Sequence, residues 1–442
     1  MLACGVRTLA VVTKDMTLRA CGDNDFGQLG IDSTSAVRHL SRVSWPREAE
    51  QMYEEVATQM VASSASFLAA VDTSGNVWTS ACFKHKTTKA GKMMCMLEMS
   101  SPTRIVFVAT GTQHCMALSS DMRVFGAGKN FCGQLGTGDT DPRDKLCPIA
   151  PGPWMGSTTM LACGGCFSVI LADDGAVRTC GQYHSVCLGL GPADLGPADL
   201  GANGVGANGL GALDRLEPTL VAAFAPGKVD YIAAGAQHVL AIAAGTLYSW
   251  GQNCCGQLGV GSFEEQVLPV RVGGEELFGS PVRLVAANQH HTLVLTEQRR
   301  LWAFGNGAHG RLGIDRSPLL SLYIKSPEIL PRWAFEARIL TIAAGKGHSA
   351  ALTDDGSVYT WGQGKMDEWK GPVPSALGHS IEKPFQAEPL RIPPRFSLRV
   401  VSPLCLSLFG ISPACSRRFG ISLHLAALGM LTALPVRVPG LF

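Results

Sequence analysis

Net charge is the first thing this chain has little of. Lys and Arg together number 37 against 35 Asp and Glu, so the formal charge is only +2. Charged residues make up 16% of the chain and hydrophobic ones 46%. No global field therefore points to nucleic acid or a membrane surface, and the apolar content supports a large buried core rather than disorder. A GxxxxGK[ST] phosphate loop is missing. Gly204–Gly209 matches GxGxxG by letter, but has no strand before it or helix after it, so it is no dinucleotide site. Ser-His-Asp or Cys-His spacing that would mark a nucleophile is also absent. The 15 cysteines are odd in number and scattered through strand-like positions such as Cys21, Cys163 and Cys180. That fits reduced thiols used as small core residues, and an intracellular protein, cytoplasmic or nuclear. Cys163-Gly164-Gly165-Cys166 is a lone CxxC without a second pair, so no structural zinc, no other metal and no cofactor is expected.

Repetition is abundant instead. Residues 343–362 read AAGKGHSAALTDDGSVYTWG: a small-residue turn, a short apolar run, an Asp-Asp-Gly hairpin turn and an alternating strand. His348 and Gly362 stand fourteen positions apart, as do His114 and Gly128, His291 and Gly305, Phe167 and Gly181, and Thr8 and Gly22. His238 and Gly251 are thirteen apart because their turn is one residue shorter, and Phe67 with Ala81 is the most worn copy. A glycine-rich loop follows in most copies, as in Gly133-Gln134-Leu135-Gly136, Gly256-Gln257-Leu258-Gly259 and Gly310-Arg311-Leu312-Gly313. Next comes a short strand expected to open on proline: Pro218, Pro269, Pro327 and Pro389.

Four short strands per unit cannot bury both faces alone, and seven such units predict an all-β chain closed as a seven-bladed β-propeller of four-stranded antiparallel blades. The small apolar strand after the marker histidine suits crowding near the ring axis. Met1 to Val12 could pass for a signal peptide, but Arg7 interrupts it and it aligns with the first repeat, so it reads as strand. The chain begins inside a repeat, which leaves either a fragment or a ring whose last blade both termini close.

The pattern AxGxxHxxALTxDGxVYxWGxNxxGQLG resembles the repeat of the regulator of chromosome condensation 1 (RCC1) family over roughly residues 1–400, best in Ala233–Gly261 and Ala343–Gly364. The resemblance implies a seven-bladed propeller. It also implies jobs that differ among relatives: nucleotide exchange on the small GTPase Ran with nucleosome binding, service beside ubiquitin-ligase domains, or plain protein interaction. In the exchange factor the loop before the motif histidine faces the GTPase, and some copies carry an acid there. The matching loops here hold Thr112 and Gln113, Ala236 and Gln237, Gln289 and His290, and Lys346, and none contains Asp or Glu. Charge pairing with a cationic GTPase patch is therefore not available from these loops. His114, His238, His291 and His348 share one repeat position and read as structural, bonding across a turn.

Three segments break the pattern. Lys84, Lys86, Lys89 and Lys92 follow the worn copy: a basic loop for phosphates or an acidic surface such as a nucleosome, or simply a solvated loop. Residues 188–215 carry a five-residue period (GPADL, GPADL, GANGV, GANGL) and read as a flexible loop inserted in the propeller, which spans 1–402. Beyond it, 403–442 is apolar. Phe419 to Val436 lacks Lys, Arg, Asp and Glu, yet Gly420, His424, Gly429 and Pro435 argue against a membrane span. It reads as a partial repeat or an unfolded tail. Two functions stay open: a non-enzymatic scaffold for protein partners, or a guanine-nucleotide exchange factor for a Ran-like small GTPase with possible histone contact.

Overall fold

The computed structural model describes residues 1–25, 27–33, 35–46, 56–64, 66–80, 94–100, 103–152, 156–182, 186–191, 214–224, 229–314, 322–363, 377 and 385–392. The Lys84–Lys92 loop, the GPADL-type insertion from 192 to 213 and everything from 393 onward lie outside them, as does Ala81.

Seven sheets of four strands each are present, and within each sheet the strands neighbour one another in chain order. The blades cover 2–42, 58–96, 105–148, 158–220, 229–273, 282–329 and 339–391. All pairings within them are antiparallel; blade 7, for example, joins Ile339–Ala344, His348–Thr353, Val358–Gln363 and Phe385–Arg391. The first strand of each blade touches the first strand of the next, from blade 1 to blade 7 and back to blade 1. That closed circuit makes the first strands the innermost layer of a seven-bladed propeller. Every described sheet comes from one continuous segment, so no blade is shared between the two ends of the chain, as the sequence had allowed.

The spacing of the markers has a simple cause. Thr8 and Gly22, His114 and Gly128, Phe167 and Gly181, His238 and Gly251, His291 and Gly305, and His348 and Gly362 are directly opposed partners on the second and third strands. Thr353 Oγ1 donates to the Ser357 carbonyl at 3.0 Å and Asp355 Oδ1 accepts from the Ser357 amide at 3.0 Å, which pins the turn between those strands. Thr13 repeats the hydroxyl contact to Thr17 at 2.8 Å, and Ser119 to Arg123 at 3.0 Å.

Two expectations need correction. The run from His348 to Thr353 is not the strand at the axis; it is the second one, and every residue in it is buried. The same holds for His114–Ser119, His238–Ala243 and His291–Thr296. Blades pack on both faces of these strands, which demands small apolar residues on both sides and erases the period-two alternation. The prolines do not open the outer strand either. Pro218, Pro269 and Pro327 sit inside Arg215–Leu220, Gln266–Gly273 and Tyr323–Ile329, in the stretch where the register slips against the third strand. A bulge on an edge strand frees those residues from the ladder, so a missing N–H is harmless there. Among the described residues no helix is long and apolar enough to cross a membrane.

Candidate functional site: the collar of loops at the ring mouth

Turning from first to second strand, six of the seven blades place a three-residue loop beside the central opening. Backbone bonds link these loops from blade to blade. Val6 N–H donates to Ser64 O at 3.3 Å, Thr112 to Gly164 O at 3.3 Å, Gly165 to Ala236 O at 2.9 Å, Ala236 to Asn288 O at 3.4 Å and Lys346 to Gly5 O at 3.2 Å. Asn288 Nδ2 bridges the remaining described junction by donating to Ala344 O at 3.0 Å. The backbone of the collar is thus committed to ring closure, and side chains are left for recognition. Thr112 and Gln113 are exposed; Ala236, Gln237, Gln289, His290 and Lys346 are half-buried on the same collar.

A second tier flanks the collar, because the residue after each marker glycine donates to the carbonyl of the residue before the opposing marker: Asp23 to Arg7, Lys129 to Gln113, Gln252 to Gln237, Asn306 to His290 and Gln363 to Gly347. This tier brings one carboxylate to the mouth, Asp23, which the loop sequences alone did not show. It faces Arg7 at 3.3 Å. Arg311 is 7% exposed and donates to the Lys346 carbonyl at 2.8 Å, tying blade 6 to blade 7. Near the mouth, Asp23 is therefore paired, while Lys346 and Lys129 present positive charge. Lys129 Nζ lies 5.8 Å from the ring centre of Phe131, which is 62% exposed.

The marker histidines lie behind the collar, wholly buried, and link neighbouring blades. His114 Nε2 meets Ser168 Oγ at 3.0 Å, His238 meets Thr292 Oγ1 at 3.1 Å and His291 meets Ser349 Oγ at 2.9 Å. Each hydroxyl in turn donates to a carbonyl of the glycine-rich loop of the histidine's own blade: Ser168 to Gln134 O at 2.8 Å, Thr292 to Gln257 O at 2.8 Å and Ser349 to Arg311 O at 2.7 Å. A hydroxyl that donates there must accept from the ring, so each of these imidazoles carries a proton on Nε2. Burial pushes their pKa down, to about 4 for His114 and about 3 for His238, and well below the usual range for His291.

The sequence missed both partners of this relay. The hydroxyl stands one residue after the marker of the following blade: Ser168, Thr292 and Ser349 follow histidine blades, whereas Val239 follows the Phe167 blade. His348 breaks the rule, since the following blade offers Leu9; its Nε2 has no hydroxyl partner. The asparagine of the repeat pattern is buried and has a role that the pattern alone did not show. Asn130 Oδ1 accepts from Leu135 N–H at 2.9 Å and Asn253 Oδ1 from Leu258 at 3.0 Å, holding the glycine-rich loops in shape. Asn24, Asn130 and Asn253 each stand four residues ahead of the glutamine of a glycine-rich loop, whereas Gly307 stands four ahead of Arg311. Replacing Ser349 by Ala leaves His291 Nε2 and Arg311 O buried without their partner, for an expected loss of about 1–3 kcal/mol in urea unfolding. The same change at exposed Ser120 should do nothing measurable.

Cys163 and Cys166 do not act together. Cys163 is buried, with its sulfur 3.8 Å from Ser168 Oγ, while Cys166 sits on the collar and contacts Cys132.

Seven closed blades, a hydrogen-bonded collar and a buried imidazole–hydroxyl relay define a repeat propeller whose distinctive exposed residues are loops. The pattern described as the regulator of chromosome condensation (RCC1) repeat matches residues 244–295, and a second of the same description matches 282–311 and 339–366. The chain is an RCC1-like propeller protein. It is 27% identical to the ultraviolet-B receptor UVR8 of Arabidopsis thaliana over 284 residues, 64% of this chain and 57% of the receptor. It is 33% identical to the probable E3 ubiquitin-protein ligase HERC3 of Homo sapiens over 221 residues, 49% of this chain and 19% of that protein. The chain thus spans less than two thirds of the length of these relatives. Among solved structures, Prp20p of Saccharomyces cerevisiae, whose binding to Gsp1p and histones was examined with its structure, superposes with a TM-score of 0.69 at 20% identity, covering 87% of both chains. Human WBSCR16 gives 0.54 at 23% identity, covering 73% of this chain and 71% of its own.

Proposed function

We propose that the chain is a non-enzymatic scaffold that takes protein partners on the collar face of its propeller. One observation carries this reading: backbone bonds between and within blades hold the collar loops, while Thr112, Gln113, Gln237 and Lys346 project from a ring whose described loops contain no Asp or Glu and whose flanking Asp23 is paired with Arg7. Such a surface offers shape and hydrogen bonds to a partner. A partner with a polar to acidic surface suits it. The combined variant Gln113→Glu, Gln237→Glu, Lys346→Glu reverses its charge character. In quantitative affinity purification it should recover at least tenfold less of the partners held by the wild type, with an unchanged thermal midpoint. Equal recovery would remove the collar from the binding surface.

The second reading is nucleotide exchange on a small GTPase. Its support is the shared fold with Prp20p, which is studied with Gsp1p and histones. Against it stands the lack of Asp and Glu among the described residues of the collar loops. Fluorescent GDP should leave Gsp1p no faster with this protein than without it, and a rate raised tenfold would replace the scaffold reading by exchange. Histone contact through Lys84, Lys86, Lys89 and Lys92 belongs to the same alternative.

A further inference from the structure

We propose that Cys254, Cys255 and His290 form a binding site for a thiophilic metal ion, Zn²⁺ in the first place, at the rim of the collar between blades 5 and 6. Their ligand atoms, two sulfurs and one ring nitrogen, all lie within 4.8 Å of one another. The two sulfurs are 3.7 Å apart. Two thiolates bound at about 2.3 Å to one tetrahedral zinc stand about 3.8 Å apart, so the pair already has the spacing of two tetrahedral vertices.

An independent observation points the same way. Nδ1 of His290 is buried and has no hydrogen-bond partner. A buried polar atom without a partner is costly in a folded protein and asks for an explanation, and a metal ligand is one. His114, His238 and His291 show the same orphan Nδ1 in the blade interior, but among the described residues only the His290 ring has a nitrogen grouped with two sulfurs.

The three groups are also held in place. Gln257 Oε1 accepts from the Cys255 amide at 2.9 Å, and the His290 carbonyl accepts from Asn306 N–H at 2.7 Å. Cys254 is exposed, which provides an entry path and leaves the fourth position of the ion to solvent. Arg311 and Lys346 lie close enough to act on His290, yet they need not repel the ion. Binding exchanges two thiol protons for one divalent cation, so the site's net charge is unchanged. The equivalent positions between blades 3 and 4 are Cys132 and Cys166, where Asp214 interacts with Cys132. Among the described residues, only the trio at blades 5 and 6 brings three such ligand atoms within mutual reach.

Titration of the full chain, purified in reductant and freed of metal, with Co²⁺ alone should give tetrahedral visible bands and thiolate-to-cobalt charge transfer that saturate at one ion per chain, and Zn²⁺ should bleach them. Cys254→Ala, at an exposed position that cannot upset the core, and His290→Gln should each abolish the tetrahedral spectrum or weaken binding at least tenfold. Cys95→Ala, an exposed thiol of blade 2, should leave it intact. Zn²⁺ should raise the thermal midpoint of the wild type and not of Cys254→Ala. A wild type without tetrahedral bands at stoichiometric Co²⁺, or the same bands in Cys254→Ala, overturns the site.

Discussion

Between pH 7 and pH 5 this propeller should lose stability steeply, far more than its near-zero net charge would suggest. Four fully buried histidines cause it. Burial holds the folded pKa at about 4 for His114, about 3 for His238 and about 4 for His348, and holds His291 well below the usual value. In the unfolded chain each titrates near 6.5. Below that pH the unfolded state takes up a proton that the folded state refuses, so stability rises with pH across the window from about 4 to 6.5 and is complete above it. Each histidine contributes a slope of about 1.4 kcal/mol per pH unit, or about 2 kcal/mol at pH 5, and four together on the order of 8 kcal/mol. That is comparable to the whole stability of a typical domain. The lowered carboxyls of Asp15, Asp121, Asp139 and Asp355 do not share the window. Their contribution is present above the unfolded carboxyl pKa of about 4 and is lost only below it.

The measurement is the urea midpoint as a function of pH. The wild type should lose most of its midpoint by pH 5. The double change His114→Phe, Ser168→Val copies the natural pairing of Phe167 with Val239 and should flatten the slope by about one proton, leaving the neutral-pH stability within about 3 kcal/mol of the wild type. A flat wild-type profile from pH 7 to 5 would mean that these imidazoles reach solvent.

The same residues show how much was legible in the sequence. The marker spacing predicted strand, turn and strand because opposed residues in a hairpin keep a fixed separation, and seven recurrences predicted the ring. Blade interiors were less readable. A second strand buried on both faces loses its alternation, so its small residues suggested the axis when the axis is lined by Ile339–Ala344 and its counterparts. The relay was hidden because its two halves, His291 and Ser349, lie 58 positions apart on different blades. Asp23 joined the mouth through a backbone bond and an ion pair to Arg7, sixteen positions back. The thiol–imidazole group was equally invisible: Cys254-Cys255 and His290 share no spacing rule until blades 5 and 6 close against each other.

Gly251→Ala should damage the protein as much as a core deletion, though it adds only one methyl. Gly251 has φ +106, and Gly22, Gly128, Gly181, Gly305 and Gly362 lie between +103 and +117. Side chains rarely adopt this region, at a penalty of about 1–3 kcal/mol. Space is lacking too. A Cβ at 251 would lie 2.6 Å from the Gln237 carbonyl oxygen and 2.8 Å from His238 Cα, both of them backbone atoms on the collar side of the blade. Neither can swing away as a side-chain end could. The Gln237 carbonyl accepts the Gln252 amide at 2.8 Å, so relief of the clash must break that bond or shift the loop. Strain and a lost buried bond together amount to about 3–5 kcal/mol. The displaced loop carries Ala236, whose amide and carbonyl join blade 5 to blades 6 and 4. The variant should therefore lose stability and partner capture together, whereas the triple charge variant of the collar loses capture alone. Gly279→Ala is the matched control. Its φ is +68, yet a Cβ there meets nothing within 4 Å, so backbone strain acts without the clash and the loss should stay near 1 kcal/mol. Equal urea midpoints for Gly251→Ala and Gly279→Ala would show that the close approach at the marker position does not constrain the ring.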